Sequence, residues 1–266
     1  MTGAAYAAAK FASSTHDALG DDALKDFDNA GWVAGLLGQV RKQWIERIRA
    51  IRLADRVVES GTPGLHVVRN QAEAFEGAAP EVRAAWNRYL AALDAYHGDF
   101  QLRTLAEHRE MMDRLSGSLL QLVPFLQPHH FEPVRAFGVL DQFFNNLRDL
   151  AEDTAAGICY FPDDILARFG LCREDVLSGR FCSMSGWRKL MSFWLDEYLP
   201  ALEREAARFD ECNNLHASVA RMRDEFRLRY ARIESLFREV DFDFERFAEE
   251  YWGEVRSRAE PAARAA

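Results

Sequence analysis

Apolar residues recur every three or four positions along nearly the whole chain, and that spacing is the signature of helices packed on one another. Trp44, Ile48, Ile51 and Ala54 mark one such face in a segment over about 30–59, which Ser60 to Gly64 interrupt. Further helices are expected over Pro80–Tyr96, Leu102–Leu126, Phe131–Ala156 with a stop at Gly157, Gly186–Phe209 and Leu215–Arg238. Pro162 opens a short one over Ile165–Phe169. No run alternates with the period of a strand, and no helix–strand alternation builds a parallel sheet. The expectation is an all-α, single-domain helical bundle over residues 25–255. Flexible ends are expected at 1–24 and 256–266, where the sequence is rich in Ala.

Composition narrows the function classes. With 48% hydrophobic residues in 266, disorder over most of the chain is excluded. The net charge of −9 is diffuse, and basic residues are scattered among acidic ones, so no nucleic-acid partner is expected. Cys159, Cys172, Cys182 and Cys212 form no CxxC pair and have no His at zinc-ligand spacing. They read as reduced thiols of a cytoplasmic protein. The segment from Met1 to Ser14 lacks a basic stretch followed by a long apolar run, so no signal peptide is expected. No stretch approaches the roughly 20 apolar residues of a membrane span. A peripheral membrane contact stays open.

The segment Gln142 to Asp153 (QFFNNLRDLAED) carries the chemistry. Asp149 and Asp153, four apart, share one helix face, and Gln142 and Asn145 extend that stripe. Phe137, Leu140, Phe144, Leu147 and Leu150 make much of the remaining surface apolar, which predicts burial. A polar stripe on a buried helix needs partners or a cavity. Two carboxylates at this spacing repel by roughly 0.2–0.5 kcal/mol when exposed, and burial raises that cost unless a cation intervenes. Mg²⁺ binds through one or two carboxylates plus substrate phosphates, so Asp149 and Asp153 are candidate ligands, with Mn²⁺ as an alternative ion. Arg148 is a candidate diphosphate contact. DxxxD alone is common on solvated helices; its combination with Gln142, Asn145, Arg148, Gly157, Tyr160 and Pro162 is far more specific. A second candidate is Arg52, Asp55 and Glu59, where the two acids are again four apart. By itself that pattern reads as a surface helix end. His97 and His108 read as helix-surface or interface residues, and His129–His130 as a loop.

Together these segments resemble the squalene/phytoene synthase family of head-to-head prenyltransferases. Its second aspartate motif resembles Gln142 to Asp153 with Gly157, Tyr160 and Pro162, and its first looks like Arg52, Asp55 and Glu59. Leu115 to Leu119 is similar to its small-residue helix segment, and Tyr230 to Phe247 to its C-terminal helix region. The resemblance spans roughly Lys25 to Tyr251. It implies an isoprenoid synthase fold around a central apolar cavity and Mg²⁺-dependent joining of two C15 or C20 prenyl diphosphates, with diphosphate release. It further implies metal ligation by Asp55, Glu59, Asp149 and Asp153, and a catalytic Tyr160. Substrate contacts would come from Arg52, Gln142, Asn145, Arg148, Tyr230 and Arg246. NADPH use is left open. The chain departs from the pattern at Arg56, where a carboxylate is common, and at Asp26–Phe27, where the family carries Ser-Phe. Two other readings therefore stay open: a terpene synthase that cyclises one diphosphate, and a non-catalytic isoprenoid-binding partner.

Overall fold

The computed structural model describes residues 23–59, 75, 77–98 and 100–264, and every regular element among them is helical. In chain order these are α1 (Ala23–Ala30), a 3₁₀ segment (Gly31–Gly35), α2 (Gly38–Glu59) and α3 (Pro80–Ala95). Next come α4 (Leu105–Met112), a π-helical segment (Asp113–Gly117) and a helical turn (Ser118–Leu120). After a 3₁₀ turn at Pro128–His130 follow α5 (Phe131–Arg148), α6 (Leu150–Ala155), α7 (Asp163–Arg168) and α8 (Arg173–Leu177). A 3₁₀ turn at Arg180–Ser183 leads to α9 (Ser185–Ser192), a second π-helical segment (Phe193–Tyr198) and α10 (Leu199–Asp210). The chain closes with α11 (Ala217–Glu239) and α12 (Phe244–Arg264). The last helix thus runs on through most of the tail expected to be flexible. The segments 1–22 and 60–74 lie outside the described residues.

The chain gathers into two compact units, Met1–Glu46 with His216–Ala266, and Arg47–Leu215, the division falling inside α2. In the first unit α1 packs on α12. The hydroxyl of Tyr251 donates to Asp28 at 2.9 Å, and Arg229 of α11 donates to Asn29 at 2.7 Å. Trp44 stacks edge-on against Trp32 and donates its indole N–H to Ser218 at 2.8 Å. These hydrogen bonds engage polar groups buried where the helices cross.

The second unit is organised around α5. Its inner residues Phe137, Leu140, Phe143, Phe144 and Leu147 are almost wholly buried. Phe137 meets Phe209 of α10 with ring centroids 5.1 Å apart. On another side α5 lies directly on the first π segment. A Cβ at Gly138 would stand 2.2 Å from the Ser116 carbonyl oxygen, so only glycine lets the two backbones approach this closely. Arg135 clamps the same contact, donating from Nε to Asp113 at 2.7 Å and from a second nitrogen to the other carboxylate oxygen.

Three continuous helices expected from the spacing are interrupted. The 102–126 pattern becomes α4 plus a π segment. The 186–209 pattern widens into the Phe193–Tyr198 π segment just before Pro200, which has no N–H for the carbonyl four residues back. The third break falls at Asp149. His108, read as a surface or interface residue, is fully buried: its ring packs edge-on to Trp194 and lies 3.3 Å from the Tyr198 hydroxyl. Burial drives its pKa down to about 3, with Arg109 adding to the shift.

Candidate active site

Asp149 occupies the break between α5 and α6, with φ −95° and ψ 5°. The turn is not lost: the Asp149 N–H donates to the Asn145 carbonyl at 3.0 Å and the Asp153 N–H to the Asp149 carbonyl at 2.9 Å. The two carboxylates therefore stay one turn apart. α6 ends two residues later in a Schellman arrangement. The N–H of Ile158 reaches the carbonyl of Asp153 at 2.8 Å and that of Gly157 reaches Thr154 at 3.0 Å. Gly157 takes φ +82°, a conformation that suits glycine.

This reversal sends the chain back past the acids. The pKa of Tyr160 is raised, first by burial and then by the charges of Asp153 and Asp149, the two acids of this turn. Its ring packs on Phe100 at 5.6 Å. The next residue, Phe161, sits edge-on to Trp187 and Trp194, which anchors the returning strand of chain in the core.

The remaining stripe residues are engaged within the unit. The Gln142 side chain accepts from the Ser116 hydroxyl at 2.7 Å and donates to Asn146 at 2.8 Å, tying α5 to the π segment. Asn145 donates to Asp141 at 3.1 Å, while its own Oδ1 is buried without a hydrogen-bond donor. Arg148 has 3% of its side chain exposed and grips Asp149 with both arms of its fork, Nε to Oδ1 at 2.9 Å and Nη2 to Oδ2 at 2.8 Å.

In α2, Asp55 accepts from the Tyr89 hydroxyl and lies 4.0 Å from an Arg52 nitrogen. Both side chains of that ion pair are about one-fifth exposed. Arg56 follows with a buried Nε that has no hydrogen-bond acceptor. The side chain of Glu59 lies outside the described residues. Tyr230 and Arg246 belong to the other compact unit. Tyr230 is buried beside Phe226 and Arg229, and Arg246 is exposed and donates to Glu250 at 2.7 Å. Asp26, where the family carries a serine, is a buried residue of α1 in that unit. Sequence reasoning missed Tyr89. Its neighbours Trp86 and Leu90 fill the same buried face of α3, so periodicity marked it as core.

The donor chemistry fits Mg²⁺. Asp149, Asp153 and the unfilled Asn145 Oδ1 are all oxygen donors on consecutive turns, the ligand type this ion takes. Among the described residues no three His, Cys, Asp or Glu side chains are gathered as a metal group. A cation here would need ligands from water or a phosphate, which is the usual habit of Mg²⁺.

A family profile described as squalene/phytoene synthase matches residues 4–241, and the chain belongs to that family. Among its relatives, 15-cis-phytoene synthase of Synechococcus elongatus is 33% identical over 84 residues, 30% of this chain and 27% of that enzyme. Phytoene synthase 1 of Arabidopsis thaliana is 40% identical over 60 residues, 23% of this chain and 14% of that enzyme. The matched stretches thus span about a quarter or less of these curated relatives. The squalene synthase HpnC from Alicyclobacillus acidocaldarius has the same fold, with a TM-score of 0.59 at 16% identity, covering 88% of this chain and 94% of that one.

Proposed function

We propose that the protein is a divalent-metal-dependent prenyltransferase that joins two C15 or C20 prenyl diphosphates head-to-head, giving a presqualene-, squalene- or phytoene-type product. The observation that carries this reading is the Asp149–Asp153 turn, closed by the Gly157 reversal that leads the chain on to Tyr160. Asp149 and Asp153 are the residues that would hold Mg²⁺, with Asn145 Oδ1 within the same stripe. Bound there, the ion supplies charge neutralisation for a diphosphate leaving group. Tyr160 keeps its proton at neutral pH, because burial and two nearby carboxylates both oppose the phenolate. Its hydroxyl is therefore a donor to the departing diphosphate oxygen. The packing of Phe100 against Tyr160 and the edge-on contact of Trp194 with Phe161 hold that donor in place. On this reading Asp55, held by Tyr89, belongs to the second substrate site. No described helix is long and apolar enough to cross a membrane.

The test is incubation with farnesyl or geranylgeranyl diphosphate and Mg²⁺, with and without NADPH, followed by mass analysis of extracted lipids. Products of doubled carbon number are expected. Products of unchanged carbon number would replace the reading with single-substrate cyclisation. Metal-independent lipid binding without turnover would replace it with a non-catalytic partner.

A further inference from the structure

We propose that Arg148 is a positioning residue, which fixes the Asp149 carboxylate for metal ligation and does not itself grip the diphosphate. The inference rests on the metal role of Asp149 given above. Two observations carry it. First, 3% exposure leaves the guanidinium almost no surface to offer an incoming phosphate. Second, Nε and Nη2 each reach a different oxygen of the same carboxylate, 2.9 and 2.8 Å away, and this planar fork fixes the carboxylate's orientation.

An ionised carboxylate offers about four lone-pair sites, and the Arg148 fork takes one on each oxygen. A guanidinium this close repels a metal ion, so its benefit must come through orientation. Lysine separates the two effects. It keeps the charge, and it keeps a phosphate-binding group, but it cannot span both oxygens.

The experiment is a Mn²⁺ titration of the full chain without substrate, read by electron paramagnetic resonance. It compares wild type, Arg148→Lys, Asp149→Asn and the double variant. Arg148→Lys should raise the Mn²⁺ Kd by about 10–100-fold, the usual range for a residue that orients a ligand. On the Asp149→Asn background the same change should add no more than about twofold, because Arg148 then has no ligand to orient. In steady state kcat should fall while KM for the prenyl diphosphate stays near wild type. An unchanged Mn²⁺ Kd with a raised KM would overturn the proposal and make Arg148 a diphosphate contact. A full additional loss on the Asp149→Asn background would overturn it in favour of a general structural role. If Asp149→Asn itself leaves Mn²⁺ binding intact, the metal reading fails, and this inference fails with it. Should Arg148→Lys not fold, Arg148→Gln serves. Loss of a cation alone would tighten Mn²⁺, so weaker binding by the glutamine variant still reports lost orientation, and tighter binding overturns the proposal.

Discussion

Asp149–Asp153 and Asp55–Glu59 have the same four-residue spacing within one compact unit, yet their surroundings differ. The first pair sits at a helix break. A buried arginine grips Asp149, and a Schellman turn reverses the chain ahead of Tyr160. The second lies on the unbroken helix α2, where Asp55 is held by Tyr89 and by a loose contact with Arg52. Spacing decides which face two acids share. What surrounds them decides whether their oxygens are fixed for a ligand or tied into the fold. The buried Nε of Arg56, which has no hydrogen-bond acceptor, sharpens the contrast.

The largest expected effect breaks the first pair. Asp149→Asn with Asp153→Asn should remove several kcal/mol of charge stabilisation, or at least about 10³-fold in product formation. Retained turnover, followed by mass analysis, would remove the distinction between the two pairs. Next, the first pair depends on where α5 lies. Gly138→Ala forces a methyl to within 2.2 Å of the Ser116 carbonyl oxygen. Thermal or urea denaturation should register a loss of about 1–3 kcal/mol or more. An unchanged midpoint would mean the two backbones part without cost. Tyr89→Phe acts on the second pair. It removes one donor to Asp55, so stability should fall by about 1 kcal/mol and turnover by no more than about tenfold. A loss matching the aspartate double variant would make the second pair as central as the first.

A further prediction concerns acid and stability, not turnover. His108 packs with Trp194, and α5 joins that cluster through Phe143. Its folded pKa of about 3 lies well below the ordinary 6.5. The unfolded chain therefore binds the extra proton first, and stability declines as pH falls from about 6.5 towards 3. The steepest slope is about 1.4 kcal/mol per pH unit. His108→Phe should flatten this part of the urea-midpoint profile, and an unchanged slope would assign the acid loss to other groups.

Much of this was legible in the sequence. Helices over Pro80–Ala95, Asp163–Arg168 and Ala217–Glu239 follow from apolar spacing with Pro80 and Pro162 as starts. The stop at Gly157 followed from glycine's tolerance of positive φ. Other features were not legible, for physical reasons. A π segment keeps the same residue types as an α-helix and differs only in which carbonyl each N–H finds, so Asp113–Gly117 left no trace in the periodicity. The Arg148–Asp149 grip joins adjacent residues, and rules for pairs three or four apart do not address such a pair. His108 looked polar enough for a surface, but an aromatic pocket and one hydroxyl accept it in neutral form. Pro200 did carry a signal, since a missing N–H one turn after Asp196 requires some local rearrangement.

The π segment at Asp113–Gly117 has a bearing on how such a chain tolerates insertion and deletion. One residue added to a regular helix rotates everything after it by about 100°. A π turn absorbs a single extra residue within one wider loop of backbone. Removing one residue between Asp113 and Gly117 should tighten that loop into an ordinary helical turn and leave the faces of the neighbouring helices aligned. Length variation among kin would then be tolerated at this point, whereas the same deletion within α5 would swing Asp149 away from Tyr160.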